Sequence, residues 1–267
     1  MNAADTTIPT RSLTPLGVAI EGSGADLETL PIETLRELVA RHRLVLLRGF
    51  RPPASREALA AWSERWGEIL RWDFGAVFEV AEHPEPKNYL FTSGSVPYHW
   101  DGAFAATAPG LQIFQCIEAP GPGAGGETLF CDTVRLLADV DPATRARWAD
   151  VSVTYTTEKK AHYGGRVTAK LVDRHPIDGS SVLRFAEPAN DATAPLNTPG
   201  LEFPGLDEAR GAALVAELRV ALYEPRRVYA HEWRPGDVLV ADNHALLHGR
   251  SPYRSSAPRR LWRVHVL

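Results

Sequence analysis

Within His99-Trp100-Asp101 an imidazole and a carboxylate stand two residues apart, and in an extended segment residues at that spacing face the same side. Two lone-pair donors aimed at one point are the start of a metal site, with Trp100 turned to the opposite face. Alone, the pattern is a weak signal, because a hydrogen-bonded structural pair has the same spacing. The C-terminal region supplies further donors in Ala241-Asp-Asn-His-Ala-Leu-Leu-His-Gly-Arg250, where His244 and His248 lie four apart, with His231 before them and His265 after. His231 and His265 read by default as satisfied core histidines. Two imidazoles and one carboxylate on one face of an octahedral ion leave three adjacent positions open, the arrangement of non-haem Fe(II) oxygenases.

A second group of candidates lies at the chain's end, Pro258-Arg-Arg-Leu-Trp-Arg-Val-His-Val-Leu267. A strand over Arg259–Val266 would set Arg259, Leu261, Arg263 and His265 on one face, and Arg260, Trp262, Val264 and Val266 on the other. Two guanidinium groups on one face of an otherwise apolar strand cost several kcal/mol if buried unpaired. An anionic ligand would relieve that cost, since the guanidinium fork matches a carboxylate in bidentate fashion. Protein carboxylates at a sheet edge are the alternative. The alternation separates Arg259 from Arg260, because only Arg259 shares a face with Arg263.

The elements that must position these groups are mostly short strands. Apolar residues at helical spacing predict a helix over Ile32–His42, followed by a buried strand over Leu44–Phe50 and a second helix over Ser55–Trp66. Further strands are expected at Leu111–Ile117, Thr128–Cys131, Val151–Thr156, Val182–Phe185, Val228–Trp233, Val238–Ala241 and Arg259–Val266, with a late helix over Leu206–Tyr223. Gly, Pro, Asp and Asn turns separate them, without a repeat or an interdomain linker. The pattern is that of a mainly β chain with peripheral helices, a double-sheet jelly roll forming one domain over residues 1–267.

Composition narrows the function classes. The chain is 44% hydrophobic, enough for one large core. With 29 basic against 33 acidic residues the formal charge is −4 and no block of like charge interrupts the mixture, so nucleic acid is not expected as a partner. No apolar run approaches a membrane span, and the polar start from Met1 to Thr10 does not read as a secretory signal. Cys116 and Cys131 are too few for a disulfide scaffold or a thiolate zinc site. A cytoplasmic chain with two inert buried thiols is expected, and a homo-oligomer is left open.

The combination His99-x-Asp101, His248 and Arg259 eleven residues later resembles the Fe(II)/2-oxoglutarate dioxygenases of the taurine dioxygenase (TauD/TfdA) family over nearly the whole chain. Gly125-Gly-Glu-Thr-Leu-Phe-Cys-Asp132 resembles the family segment whose threonine helps to hold 2-oxoglutarate. The stretches Trp72-Asp-Phe-Gly-Ala-Val, Tyr98-His-Trp-Asp-Gly, Leu183-Arg-Phe-Ala-Glu-Pro188, Tyr229-Ala-His and Ala241-Asp-Asn resemble the PvcB-type subgroup, which acts on isonitrile derivatives of tyrosine or tryptophan.

The resemblance implies a double-stranded β-helix, cupin-like fold and a definite set of roles. His99, Asp101 and His248 would be the catalytic metal ligands; Thr128 and Arg259 would bind the distal carboxylate of 2-oxoglutarate, and Arg263 would face the substrate. His248 is preferred over His244 because it alone carries the trailing Gly249-Arg250 and the interval to Arg259. The implied cofactors are Fe(II), 2-oxoglutarate as co-substrate, and O2, with succinate and CO2 formed as hydrogen is abstracted from a small-molecule substrate. Asp101 argues against halogenation, for which related enzymes replace this carboxylate with a small residue.

Substrate-side candidates are Tyr98, beside the metal motif, and His162 and Tyr163 in a basic loop candidate, Lys159-Lys-Ala-His-Tyr-Gly-Gly-Arg166. Trp72, Phe74, Phe104, Phe114 and Phe185 are aromatic candidates that read first as core. The resulting expectation is desaturation at Cβ of a tyrosine or tryptophan isonitrile, with or without loss of its carboxylate. Hydroxylation of that carbon, hydroxylation of another small acid or sulfonate clamped by Arg263, and a non-catalytic binding module are the alternatives.

Overall fold

The computed structural model describes residues 8–73, 75–160, 163–188, 196, 198–254 and 258–267. In chain order the first elements are β1 (Arg11–Ser12), β2 (Val18–Glu21), α1 (Ile32–His42), β3 (Leu44–Arg48), α2 (Arg56–Glu64), β4 (Phe78–Ala81), β5 (Val96–His99), β6 (Leu111–Glu118) and β7 (Thr128–Asp132). Next come α3 (Thr133–Asp139), α4 (Pro142–Ala149), β8 (Ser152–Lys160), β9 (Tyr163–Lys170), β10 (Val172–Arg174), β11 (Ser181–Leu183) and β12 (Gly200–Glu202). The chain closes with α5 (Glu208–Leu222), β13 (Val228–His231), β14 (Val238–Asp242), β15 (Leu246–Arg250) and β16 (Arg260–Val266).

The strands form a seven-stranded sheet in the order β1-β2-β3-β14-β6-β16-β4 and a four-stranded sheet in the order β13-β7-β15-β5. Period-two alternation sorts their side chains. On β14, Val238 and Val240 join a core with Val45, Leu47, Ile113, Val264 and the helical residues Leu35, Val39, Leu59 and Trp62. Leu239 and Ala241, on the other face, join Phe114, Cys116 and Leu261 of the large sheet and Phe130 and Leu246 of the small one. That second core lies between the sheets, and both run from it to the site. A third core, with Tyr98, Trp100, Cys131 and Leu247, fills the outer face of the small sheet against α3 and α5. This is the expected double-stranded β-helix with α1 and α2 outside.

α1 has the predicted limits. α2 starts where Ser55 Oγ accepts from Ala58 N at 3.2 Å, and α5 where Asp207 accepts from Arg210 N at 2.8 Å, which ends the predicted helices one or two residues inside their sequence limits. α3 and α4 were not foreseen. Asp132 is at once the last residue of β7 and the N-cap of α3, so no turn separates strand from helix there; Asp141 caps α4 with Pro142 in its first turn, and that Asp-Pro pair was the available signal for α4. The loop expected at Lys159–Arg166 is instead the end of the β8–β9 hairpin. The ladder has an irregularity between Thr157 and Lys160 and resumes with Lys160 opposite Tyr163. His162, Phe74 and the start of the chain, residues 1–7, lie outside the described residues, and Tyr163 is placed in β9 by its backbone alone.

Candidate active site

β15 pairs antiparallel with β5 so that His248 is directly opposite His99. Cross-strand neighbours on one face touch, and here the two imidazole centroids are 4.2 Å apart. Alternation turns Leu247, Tyr98 and Trp100 into the third core and leaves both imidazoles on the inner face. Asp101 lies in a turn just beyond β5, not on a continuous strand as its spacing suggested. Asn243, from the β14–β15 turn, fixes that turn: its Oδ1 accepts from Asp101 N at 3.0 Å, and its Nδ2 donates to Asp101 O at 2.9 Å and to Pro109 O at 2.7 Å.

One donor atom from each of His99, Asp101 and His248 lies within 4.8 Å of the others, the one such metal-capable group among the described residues. His99 Nε2 is 3.6 Å from Asp101 Oδ1, and His248 Nε2 is 3.8 Å from Asp101 Oδ2. His99 Nδ1 donates to Pro97 O at 2.9 Å, so the Nε2 lone pair is directed inward. Burial lowers the pKa of both imidazoles, and the His99 ring lowers that of His248 further. They are neutral donors at pH 7. Burial raises the Asp101 pKa, but Arg263, His265 and His248 overcome it and hold the carboxyl well below its usual range.

His244 is not part of the group. Burial and the neighbouring Arg184 guanidinium push its pKa down to about 4, and its Nδ1 accepts from Arg184 at 2.9 Å. His231 lies between Tyr229, whose hydroxyl is 3.0 Å from its Nδ1, and Asp237, 3.3 Å from its Nε2; it is a core histidine, but its Nε2 lacks a hydrogen bond of good geometry among the described residues. His265 departs from that default, because its Nε2 donates to Asp101 Oδ2 at 2.8 Å.

Thr128, at the start of β7, and Arg259 form the second half of the site. Arg259 is 5% exposed, and among the described residues it has no carboxylate partner. Its Nε donates to Gly126 O at 2.7 Å and one terminal nitrogen donates to Thr128 Oγ1 at 3.2 Å. Burial, reinforced by the nearby Arg250 charge, pushes its pKa down to about 9. A buried cation without a counter-charge is costly, and a bound carboxylate is the natural relief. Thr128 Oγ1 also accepts from the Trp233 indole at 2.9 Å.

Arg259 precedes β16, and a bulge at Arg260–Leu261 interrupts the simple alternation. Both arginines are nevertheless buried on the inner side. For Arg263 the alternative of a protein carboxylate partner is the one observed: a terminal nitrogen lies 2.6 Å from Asp101 Oδ2, with the guanidinium 5.1 Å from the Phe78 ring centroid. Tyr98 is a further correction. It is fully buried in the third core, 4.8 Å centroid to centroid from Tyr223, on the face opposite His99, so it does not line the mouth. Phe114 and Phe185 are buried core, as they first read. Gln112 was missed. It belongs to an apolar strand but shares the inner face with Phe114, and its amide donates to Asp101 Oδ2 at 2.7 Å; that polar residue in an apolar run was the available signal.

Two neutral imidazoles and a monoanionic carboxylate suit a ferrous ion, and the unpaired Arg259 beside the Thr128 hydroxyl suits the far carboxylate of a 2-oxo diacid. Fold and site together define a non-haem Fe(II), 2-oxoglutarate-dependent oxygenase. The chain matches the taurine catabolism dioxygenase TauD, TfdA family over residues 9–265 and belongs to that family. It is 50% identical over 259 residues, 96% of this chain and 94% of the relative, to a Fischerella ambigua protein named 3-((Z)-2-isocyanoethenyl)-1H-indole synthase. It is 38% identical to the tyrosine isonitrile desaturase of Pseudomonas aeruginosa, over 91% of this chain and 84% of that protein. The crystal structure of Pseudomonas aeruginosa PvcB superposes with a TM-score of 0.81 at 35% identity, covering 100% of this chain and 94% of that one. No helix among the described residues is long and apolar enough to cross a membrane.

Proposed function

We propose that this chain, as one catalytic domain, desaturates the side chain of an aromatic amino-acid isonitrile, with the indole isonitrile derived from tryptophan preferred over the phenol. The observation that carries this reading is 50% identity across nearly the full length of a relative named for an isocyanoethenyl indole, against 38% for the tyrosine isonitrile desaturase.

When bound, Fe(II) with 2-oxoglutarate and O2 supplies a one-electron oxidant able to take hydrogen from a C–H bond, with succinate and CO2 as co-products. His99, Asp101 and His248 would hold the ion on one face. Arg259 and Thr128 would anchor the distal carboxylate of 2-oxoglutarate and so fix which open positions its keto-acid end can reach. Arg263, paired with Asp101 and over Phe78, would face the substrate and help to neutralise carboxylate charge brought beside the site. Tyr163, at the start of β9, and His162, which lies outside the described residues, remain candidates for closing over the substrate. The buried, thiol-only state of Cys116 and Cys131, with burial pushing both up to about 12, fits a reducing cytoplasm.

Incubating the purified protein with Fe(II), 2-oxoglutarate and either tryptophan or tyrosine isonitrile tests this reading. Succinate formed one-for-one with an alkene product, faster from the indole, is expected. Succinate release uncoupled from both isonitriles, or a hydroxylated product alone, would contradict it.

A further inference from the structure

The carboxylate of Asp101 is asymmetric. Among the described residues three donors reach Oδ2: Arg263 at 2.6 Å, Gln112 Nε2 at 2.7 Å and His265 Nε2 at 2.8 Å. None reaches Oδ1. A carboxylate oxygen offers about two lone-pair sites, so Oδ2 is saturated while Oδ1 stays free beside His99 Nε2.

His265 and Gln112 are themselves a cross-strand pair of β16 and β6, which explains why both reach the same oxygen. An imidazole donates from Nε2 only in one tautomer or as a cation, and here a second residue selects the tautomer. The Trp72 indole, which can only donate, is 3.3 Å from His265 Nδ1. Nδ1 must therefore accept, and the ring proton is on Nε2. The placement is built by backbone: Ile69 bridges Val266, and Leu70 N donates to His265 O at 2.9 Å, so the segment leading to Trp72 runs alongside the last strand. The rings meet edge to face with centroids 5.8 Å apart. A histidine that merely filled the core would not need its proton assigned from both sides.

We infer that His265, oriented by Trp72, is a positioning residue that holds Asp101 as a single-oxygen ligand. By occupying Oδ2 it directs Oδ1 to the ion and prevents the carboxylate from closing over a second coordination position, which the co-substrate needs. The inference rests on the reading that His99, Asp101 and His248 hold the metal, and the two fail differently.

The test is titration of the metal-free protein with Co(II) alone, followed by calorimetry and the visible absorption of the bound ion, beside the thermal stability of each metal-free variant. His265→Phe is expected to weaken Co(II) binding 10- to 100-fold, the range for loss of a partner to a metal ligand, and to alter the absorption spectrum. His265→Gln, whose amide nitrogen replaces Nε2 as a donor, restores affinity to within a few-fold. Trp72→Phe keeps the imidazole but frees its tautomer and falls between. Wild-type affinity and spectrum in His265→Phe, or equal losses in the Phe and Gln variants, would overturn the inference. Where the His265 variants do not fold, Trp72→Phe decides: wild-type Co(II) affinity and spectrum there overturn it. Absence of Co(II) binding by the wild-type protein, or unchanged binding in His99→Ala, removes the metal reading itself.

Discussion

A hydroxyl has one proton and two lone pairs, and both Thr128 acceptor positions are taken, one by the Trp233 indole and one by Arg259. What remains is the Thr128 proton, a donor directed beside an uncompensated guanidinium. This gives a quantitative expectation for 2-oxoglutarate. Arg259→Met should raise its dissociation constant on the order of 100-fold, since two hydrogen bonds to a charged group contribute roughly 1.5 kcal/mol or more each, while Arg259→Lys recovers part of the loss. Calorimetric titration of the Mn(II)-loaded protein measures it, and a change below about threefold would remove Arg259 from the co-substrate site. His244 carries a different signature. Its native pKa of about 4 lies below that of an unfolded histidine, so the unfolded chain takes up a proton that the native state refuses. Stability is then flat above about pH 6.5 and is lost as pH falls from there toward 4, by up to about 3 kcal/mol from this residue. In His244→Asn the side-chain oxygen still accepts from Arg184 but cannot titrate. The pH dependence of the unfolding midpoint should be shallower in that variant across the same window, and identical slopes would refute the assignment.

Short elements place these groups with backbone hydrogen bonds more than with side-chain packing. The segment before β7 has Gly125 at φ +85°, and a Cβ there would sit 2.2 Å from Pro252 O. Gly126 next to it supplies the carbonyl that accepts from Arg259. Gly125→Ala combines a left-handed backbone with a backbone clash, and at least 1–3 kcal/mol of destabilisation is expected. Weaker 2-oxoglutarate binding should accompany the lower unfolding midpoint, and calorimetry with thermal denaturation checks both. The same reliance on backbone geometry explains what could be read in advance. β6, β14 and β16 were visible because apolar alternation or a continuous apolar run marks them, whereas β5 and β15, and their pairing across His99 and His248, were not among the predicted strands. The turn at Asp101, the bulge before Leu261 and the strand-to-helix junction at Asp132 were not visible. Each depends on a partner distant in sequence, as Asn243 is from Asp101, and local propensity carries no record of it. Spacing put Tyr98 on the strand face opposite His99, as observed, but that face packs into the third core and does not reach the mouth.

At the scale of the molecule, two sheets bring together donors separated by well over a hundred residues. The inner face collects His99 and His248 from the small sheet and Gln112, Arg263 and His265 from the large one. Hydrophobic burial on the outer faces, against α1 and α2 on one side and α3 and α5 on the other, keeps the sheets in register while their facing sides carry polar groups. Among the described residues Arg184, Arg250 and Arg259 are buried cations without a carboxylate; the first donates to Asn243 O and His244 and the second to backbone carbonyls, while Arg259 sits beside the Thr128 hydroxyl. Activity therefore depends on three side chains, His99, Asp101 and His248, meeting at one ion. Anaerobic addition of Fe(II) and then 2-oxoglutarate to the pure protein tests this most directly, through the weak visible charge-transfer absorption of the chelate. The band is expected in the wild-type protein and in His244→Ala, and is expected to be lost in His99→Ala and His248→Ala. A band that persists in His248→Ala and disappears in His244→Ala would contradict the assignment of the third ligand and the site built on it.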